Sequence, residues 1–306
     1  MKLIVLTGFL GAGKTTLLTG LLKAFDDQKI GVLMNEFGEI GIDGRLIEDG
    51  DFKLMELDSG SIFCACLKEN FIQGLVKFLA TDLEVLFVES SGVSDPSNMG
   101  TILETVAKLA GKSYEYLGSI CVVDGLYFKA QREVIPALGR QLAHAAAVII
   151  NKADLQTPEV LAEIEAEIET LHPGVKIYRT AFCEVDFRQL VAQLGGEEAL
   201  PQESLNTWES RPKTGVITTE TAVDYQGFGR FLHEIIGSAH RIKGFVKTNA
   251  GNFEVSCVND FSIVTPWDKP LSKTEMVIIS SVGVKIISVV LSAWKTALGE
   301  TPFEFK

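Results

Sequence analysis

Histidine is scarce in this chain of 306 residues. His144, His172, His233 and His240 are scattered, with no His-rich tract, and each reads as an ordinary surface or core residue. Basic charge is also in deficit: 28 Lys and Arg face 40 Asp and Glu, for a net charge of −12. Nucleic-acid binding rests on neutralising phosphates, and adhesion to anionic membranes on clustered bases, so neither is expected of this chain. The cysteines number five, and only Cys64 and Cys66 lie close together. An odd, dispersed set excludes a secreted disulfide framework. Long apolar runs are missing too. Met276–Trp294 approaches the length of a membrane span, but Lys285 sits within it, serines interrupt it and Gly283 divides it. It reads as a buried strand followed by an amphipathic helix. The opening MKLIVLTGFLGAGK has a short apolar run that flows into a glycine-rich loop, which predicts a strand and not a signal peptide. A cytoplasmic location is expected. There is no internal repeat and no low-complexity tract.

What is present is a globular composition, 46% hydrophobic and 22% charged, in a chain long enough for two or three domains. Its first two hundred residues alternate between two patterns. Strand-like runs fall at Leu3–Thr7, Gly31–Asn35, Val85–Glu89, Ser119–Asp124, Ala147–Asn151 and Val175–Tyr178. Helical patterns lie between them, as at Lys14–Phe25, Lys68–Ala80 and Pro158–Leu171. Such alternation predicts an α/β fold, a doubly wound and mostly parallel sheet with helices on both faces. Runs such as LIVL and VLFV are apolar throughout, as strands covered on both sides should be.

Residues 196–213 are rich in Gly, Pro, Ser and acids and read as a linker between a first domain, 1–195, and a second, 214–306. The second domain has a strand pattern at Thr214–Ala222, a helix at Phe228–Ser238, and strands at Gly244–Thr248, Phe253–Cys257, Phe261–Thr265 and Met276–Ser281. A last helix runs to Leu298. That order predicts a smaller α+β domain.

The strongest motif is Gly8-Phe9-Leu10-Gly11-Ala12-Gly13-Lys14-Thr15, a full G-x-x-x-x-G-K-[ST] with a strand before it and an amphipathic helix after it. Glycines let the backbone N–H groups turn towards phosphate oxygens, and the helix aims its positive end at the same anion. Gly8, Gly11, Ala12, Gly13, Lys14, Thr15 and Thr16 are therefore candidate phosphate ligands. Lys14 is placed to reach the β- and γ-phosphates and Thr15 to offer its hydroxyl to Mg²⁺. Some 140 residues later, Asn151-Lys152-Ala153-Asp154 ends another apolar run. Its Asp154 can accept from the N1–H and exocyclic amine of guanine, a pair that adenine lacks, and Asn151 can contact the other edge. GTP is preferred over ATP on that ground. Between them, the strand Val85–Val88 ends in Glu89, a candidate Mg²⁺ carboxylate, and Gly92 follows as a candidate γ-phosphate sensor. Lys14, Thr15 and Glu89 are the candidate catalytic groups.

A transition-metal site is a further expectation. Cys64 and Cys66 could share a soft ion, with Glu36 and Glu39 as additional ligands on a segment near the γ-phosphate. The alternative is that both are inert thiols.

With these motifs in place, the chain resembles the CobW family of P-loop GTPases, a group of metal-handling proteins. The resemblance rests on GFLGAGKTT (Gly8–Thr16), NEFGEIGIDG (Asn35–Gly44), VESSGVSDP (Val88–Pro96), QLAHAAAVIINKADL (Gln141–Leu155) and, more loosely, RIKGFV (Arg241–Val246). It implies phosphate binding by Gly11 to Thr16, Mg²⁺ at Thr15 and Glu89, guanine reading by Asn151 and Asp154, and a first switch segment holding Glu36 and Glu39. It also implies GTP hydrolysis to GDP that is slow without a partner and coupled to delivery of a metal or metallocofactor to a client protein. Candidate metals are Zn²⁺, Co²⁺ and Ni²⁺, and the chain is expected as a monomer or a nucleotide-dependent homodimer. One departure stands out. The family carries Cys-x-Cys-Cys, whereas this chain has Ser61 and Phe63 at two of those positions and keeps Cys64, with Cys66 as an added thiol. The metal site is either rebuilt on Cys64 and Cys66 or lost. A GTP-dependent chaperone for a corrinoid enzyme or other metalloenzyme that binds no metal itself remains open. So, from a different class, does a P-loop kinase of small molecules, against which the N-K-A-D loop argues.

Overall fold

Strands that are apolar on both faces must be covered on both faces, and the computed structural model shows how. It describes residues 1–35, 53–57, 68–90, 92, 96–134, 136–195, 213–258 and 261–306. The chain divides into two units, Met1–Ser210 and Arg211–Lys306. Glu36, Glu39, Cys64, Cys66, the motif positions Ser61 and Phe63, and residues 196–212 of the linker lie outside the described residues.

The first unit runs β1 (Lys2–Thr7), α1 (Lys14–Ala24), β2 (Ile30–Asn35), β3 (Lys53–Leu57), α2 (Lys68–Leu79), β4 (Val85–Glu89), α3 (Met99–Ala110) and β5 (Glu115–Asp124). It continues with α4 (Phe128–Val134), α5 (Pro136–Ala143), β6 (Ala145–Asn151), α6 (Pro158–Leu171), β7 (Lys176–Arg179) and α7 (Phe187–Ala192). Among the described residues its strands form one seven-stranded sheet in the order β3-β2-β4-β1-β5-β6-β7, and every pairing is parallel. Alternate residues of β1 serve opposite cores. Ile4 and Leu6 pack with Leu17, Leu18 and Leu21 of α1 and Leu190 and Val191 of α7. Leu3 and Val5 pack with Phe71, Leu75 and Phe78 of α2 and Ile102 and Val106 of α3. The sheet is doubly wound, as the alternation predicts. Parallel strands leave their carboxyl ends together at one edge of the sheet, the usual place for a ligand crevice. Thr7, Glu89, Asp124 and Asn151 are the last residues of β1, β4, β5 and β6.

The second unit holds β8 (Thr214–Thr219), α8 (Tyr225–Ile236), β9 (Ala239–Thr248), β10 (Gly251–Val258), β11 (Phe261–Pro266), β12 (Thr274–Ser280), α9 (Ile286–Leu298) and β13 (Glu304–Phe305). The sheet is antiparallel, in the order β11-β10-β9-β12-β8-β13. Phe228, Phe231 and Ile235 of α8 and Ile286, Val290 and Trp294 of α9 share one core with Ile242, Val246, Met276 and Ile278 of the sheet. Trp294 stacks on Phe303 at 4.2 Å between ring centres and donates from Nε1 to the Thr301 carbonyl at 2.9 Å. The run Met276–Trp294 is split between β12 and α9, and Gly283 between them takes a φ of 63°. Among the described residues, no helix is long and apolar enough to cross a membrane.

Candidate functional site

The phosphate loop is bent by glycines that nothing larger could replace. Gly8, Gly11 and Gly13 have φ of 131°, 76° and 116°, in the region L side chains avoid. A Cβ on Gly8 would stand 2.1 Å from the Val122 carbonyl oxygen of β5, and one on Gly13 would stand 2.4 Å from the Asn151 side-chain nitrogen. The first turn of α1 carries no acid to compete for its N–H groups, which have no partners inside the helix. Thr16 lies exposed in that turn. Lys14 is buried, and its ammonium donates to the Gly8 and Phe9 carbonyls at 2.9 and 3.2 Å. Those are contacts a phosphate oxygen could take over.

Glu89 ends a strand buried along its whole length and is itself 6% exposed. The Thr15 hydroxyl donates to its Oε1 at 2.9 Å, across 74 residues of sequence. A hydroxyl and a carboxylate held side by side at the phosphate loop form an oxygen-donor pair that suits Mg²⁺, a hard cation. Immediately after Glu89, the Ser90 N–H and hydroxyl donate to the Leu6 carbonyl at 3.0 and 2.9 Å. Gly92 is buried against the phosphate loop, since a Cβ there would lie 2.6 Å from the Leu10 nitrogen. Gln141 of α5 donates to the Gly92 carbonyl at 3.4 Å.

The second half of the site lies beside the first. Asn151 donates from Nδ2 to the Ala12 carbonyl at 2.8 Å, across 139 residues, and its Oδ1 accepts from the Cys183 N–H at 2.8 Å and the Thr180 hydroxyl at 3.4 Å. The sequence reading gave Asn151 to an edge of the base, but its amide also bonds loop to loop. Lys152 takes a left-handed φ of 59°, and its ammonium meets the Asp124 carboxylate at 2.5 Å. Asp124 is fully buried, and its other oxygen accepts from the Leu126 and Tyr127 N–H groups at 3.0 and 3.3 Å. Asp154 is exposed, in the 3-10 turn Ala153–Leu155, with no hydrogen bond or ion pair to another described residue. It lies three positions beyond Asn151, so it stays within about 11 Å of that residue and hence close to the phosphate loop.

Sequence reasoning missed three contributors. Asp124 is a polar residue closing an apolar strand, the same signal that flagged Glu89 and Asn151. The segment Thr180–Cys183 follows β7 and is tied to the base-side loop, the Ala153 N–H donating to the Thr180 carbonyl at 2.9 Å. The Cys183 thiol donates to the Gly13 carbonyl at 3.4 Å, and burial pushes its pKa up to about 12, so it is a packing group and not a nucleophile. The third, Gln141, carried no local signal. For the transition metal, Glu36, Glu39, Cys64 and Cys66 lie outside the described residues. Among the described residues no group of three or more His, Cys, Asp or Glu is placed to hold a metal.

Comparison with known proteins gives the chain a family. Residues 2–179 match the family model described as CobW/HypB/UreG, nucleotide-binding domain. The chain is 31% identical over 195 residues to the zinc chaperone YjiA of Escherichia coli, a match covering 60% of this chain and 58% of that protein. It is 29% identical over 226 residues to the zinc chaperone CobW of Pseudomonas aeruginosa, again covering 60% and 58%. The chain thus spans less than two thirds of the length of these curated relatives. A crystal structure of Zn(II)-bound YjiA GTPase from E. coli aligns with 97% of this chain and 98% of its own, at 19% identity and a TM-score of 0.46.

Proposed function

The chain belongs to the CobW/HypB/UreG family of nucleotide-binding domains, and from that premise we propose that it hydrolyses GTP to GDP and phosphate and couples the nucleotide state to delivery of a metal or metallocofactor to a client protein. One observation carries the reading. The Asn151 side chain bonds the Ala12 carbonyl of the phosphate loop at 2.8 Å, which supports reading the two motifs as two ends of one nucleotide crevice.

In this crevice the backbone of Gly11 to Thr16 cradles the phosphates, and Lys14 leaves the Gly8 and Phe9 carbonyls for the β- and γ-phosphate oxygens. Asp154 accepts from the guanine edge. Lys152 is held by Asp124. Thr15 and Glu89 are the residues that would hold Mg²⁺, which when bound supplies positive charge to the phosphates. The Gly92 N–H reads the γ-phosphate, and Gln141 holds the carbonyl of the same glycine. A water oxygen attacks the γ-phosphorus and the bond to the β–γ bridging oxygen breaks. GDP keeps that electron pair, and the water's proton passes to the released phosphate. Positioning and charge stabilisation supply the acceleration. Without a side chain assigned to orient the water, turnover by the isolated protein is slow. Cys64 and Cys66, with Glu36 and Glu39, are the proposed ligands of the cargo, and the names of the two relatives make zinc the first metal to test.

Nucleotide titration tests the core of the reading. Lys14→Ala should weaken triphosphate binding at least tenfold, and Asp154→Asn should abolish the preference for guanine. Equal affinity of the wild type for ATP and GTP would overturn it. Zinc titration of the wild type against the double variant Cys64→Ser/Cys66→Ser then tests the cargo. An unchanged affinity would remove these thiols from the proposal.

A further inference from the structure

Phe182 plays no part in the scheme above, and its setting is anomalous. It is 75% exposed, the largest exposure among the large hydrophobic side chains described. Its φ is 52° and that of the following Cys183 is 57°. Two consecutive residues with a Cβ in the left-handed region are strained, and such strain persists only where the surroundings impose it. Here they do. The Thr180 carbonyl accepts from Ala153 at 2.9 Å, the Cys183 N–H donates to Asn151 at 2.8 Å, and the Glu184 N–H closes the turn on the Ala181 carbonyl at 3.0 Å. The fold therefore bends the backbone at cost beside the base-side loop and presents an aromatic ring to water. Among the described residues that ring has no aromatic partner.

We propose that Phe182 covers one face of the bound purine. This rests on the guanine reading given above and deepens it. A carboxylate such as Asp154 grips a base by its edge, which leaves the π-faces in water. Stacking an aromatic ring on one face buries both apolar surfaces and adds affinity. Lys152 and Asp154 lie on the segment to which the Phe182 turn is bonded, so the ring stands next to where the base would be held. Strain in a ligand-free turn is then the cost of having the ring in place before the nucleotide arrives.

Calorimetric titration with GDP and with pyrophosphate separates the base from the phosphates. Phe182→Ala should bind GDP about tenfold more weakly than the wild type while pyrophosphate affinity is unchanged. Phe182→Tyr should restore GDP binding. Phe182→Trp should add to the emission of the three native tryptophans a component that GDP quenches and pyrophosphate does not. Phe182→Gly should raise the melting temperature by relieving the left-handed strain while losing GDP affinity, a pairing of signs that a purely structural residue would not give. GDP binding by Phe182→Ala equal to that of the wild type, or an equal loss of GDP and pyrophosphate, would overturn the inference and leave the guanine reading intact. A wild type that binds GDP no better than pyrophosphate would overturn both.

Discussion

The two units place their buried polar groups differently. In the first, Thr7, Glu89, Asp124 and Asn151 stand at the carboxyl ends of strands, and Thr180 follows the end of β7. Their partners come from far along the chain: Thr15 bonds Glu89, Ala12 bonds Asn151, and Lys152 pairs with Asp124. In the second, Thr248 and Ser280 donate to carbonyls only three residues on, and Thr274 accepts from Lys247 of the neighbouring strand. Thr219, the register partner of Thr274, donates to the Pro302 carbonyl at 2.6 Å, so Thr219, Thr274 and Thr248 share one edge of that sheet, but what they bring there is hydroxyls, not the carboxylates and amide of the first unit. The reason lies in the sheets. A parallel strand covered on both faces favours polar side chains at its ends, where all the carboxyl ends meet, although Ser119 lies buried within β5 and donates to the His144 carbonyl at 2.8 Å. An antiparallel sheet sends successive ends to opposite edges. Buried carboxylates bonded to remote segments, as at Glu89 and Asp124, single out the candidate site, whereas buried hydroxyls that answer backbone carbonyls, as at Thr219 and Thr248, hold the second sheet together.

The largest effects should come from a matched pair. A Cβ on Gly8 or on Gly244 would meet a backbone oxygen at 2.1 Å, that of Val122 or of Glu275. Gly8→Ala and Gly244→Ala should each cost about 3 kcal/mol in urea unfolding, yet only Gly8→Ala should lose guanine-nucleotide binding. Loss of binding in Gly244→Ala would break the contrast between the units. A smaller pair sharpens it. Asn151→Ala strands the Ala12 carbonyl and the Cys183 N–H and should cost about 2–3 kcal/mol, with nucleotide affinity falling alongside. Ser280→Ala, which loses its bonds to Gly283 and Val282, should cost about 1 kcal/mol with nucleotide affinity unchanged. The smallest effect concerns pH. Asp224 caps α8, and the Gly227 N–H with the Asn249 amide holds its carboxyl below the usual aspartate range. Its contribution is present above the unfolded pKa and is lost as pH falls through the folded one. Melting temperature measured from about pH 5 to about pH 3 should therefore fall slightly less steeply in Asp224→Asn than in the wild type.

How much of this was legible in the sequence depended on whether the signal was local. Val85–Glu89 and Pro158–Leu171 are observed with the bounds their patterns predict, because one is a pure apolar run and the other starts on a Thr-Pro cap. β5 begins four residues before the predicted Ser119, since its opening stretch is partly exposed and its register against β1 shifts between Leu3 and Ile4. β9 begins five residues before the predicted Gly244, in a stretch where His240, Arg241 and Lys243 hide the pattern. The helix predicted from Phe228 begins at Tyr225, where Gly227 and Gly229 weaken the helical signal but Asp224 caps the turn. α3, α4, α5 and α7 were not anticipated; three of them have 8 residues or fewer, too little for a periodicity to stand out. In the candidate site, Gly8–Thr16 and Asn151–Asp154 are runs of consecutive residues whose motifs stand out locally, and the structure ties the two runs together through Asn151 and Ala12. Asp124 carried the strand-end signal but gained a partner only through the fold, and Gln141 and Thr180–Cys183 acquire meaning only once the folded chain sets them against Gly92 and Asn151.

Asn151 and Asp154, three residues apart, differ in how much of the molecule depends on them. The first is sealed in, and to exchange it is to unseat the glycine-rich turn that holds Ala12. The second is exposed and bonds no other described residue. Selection acting on this chain could therefore retune which purine it accepts through a single surface carboxylate, while the spacing from base to phosphates stays inherited and fixed.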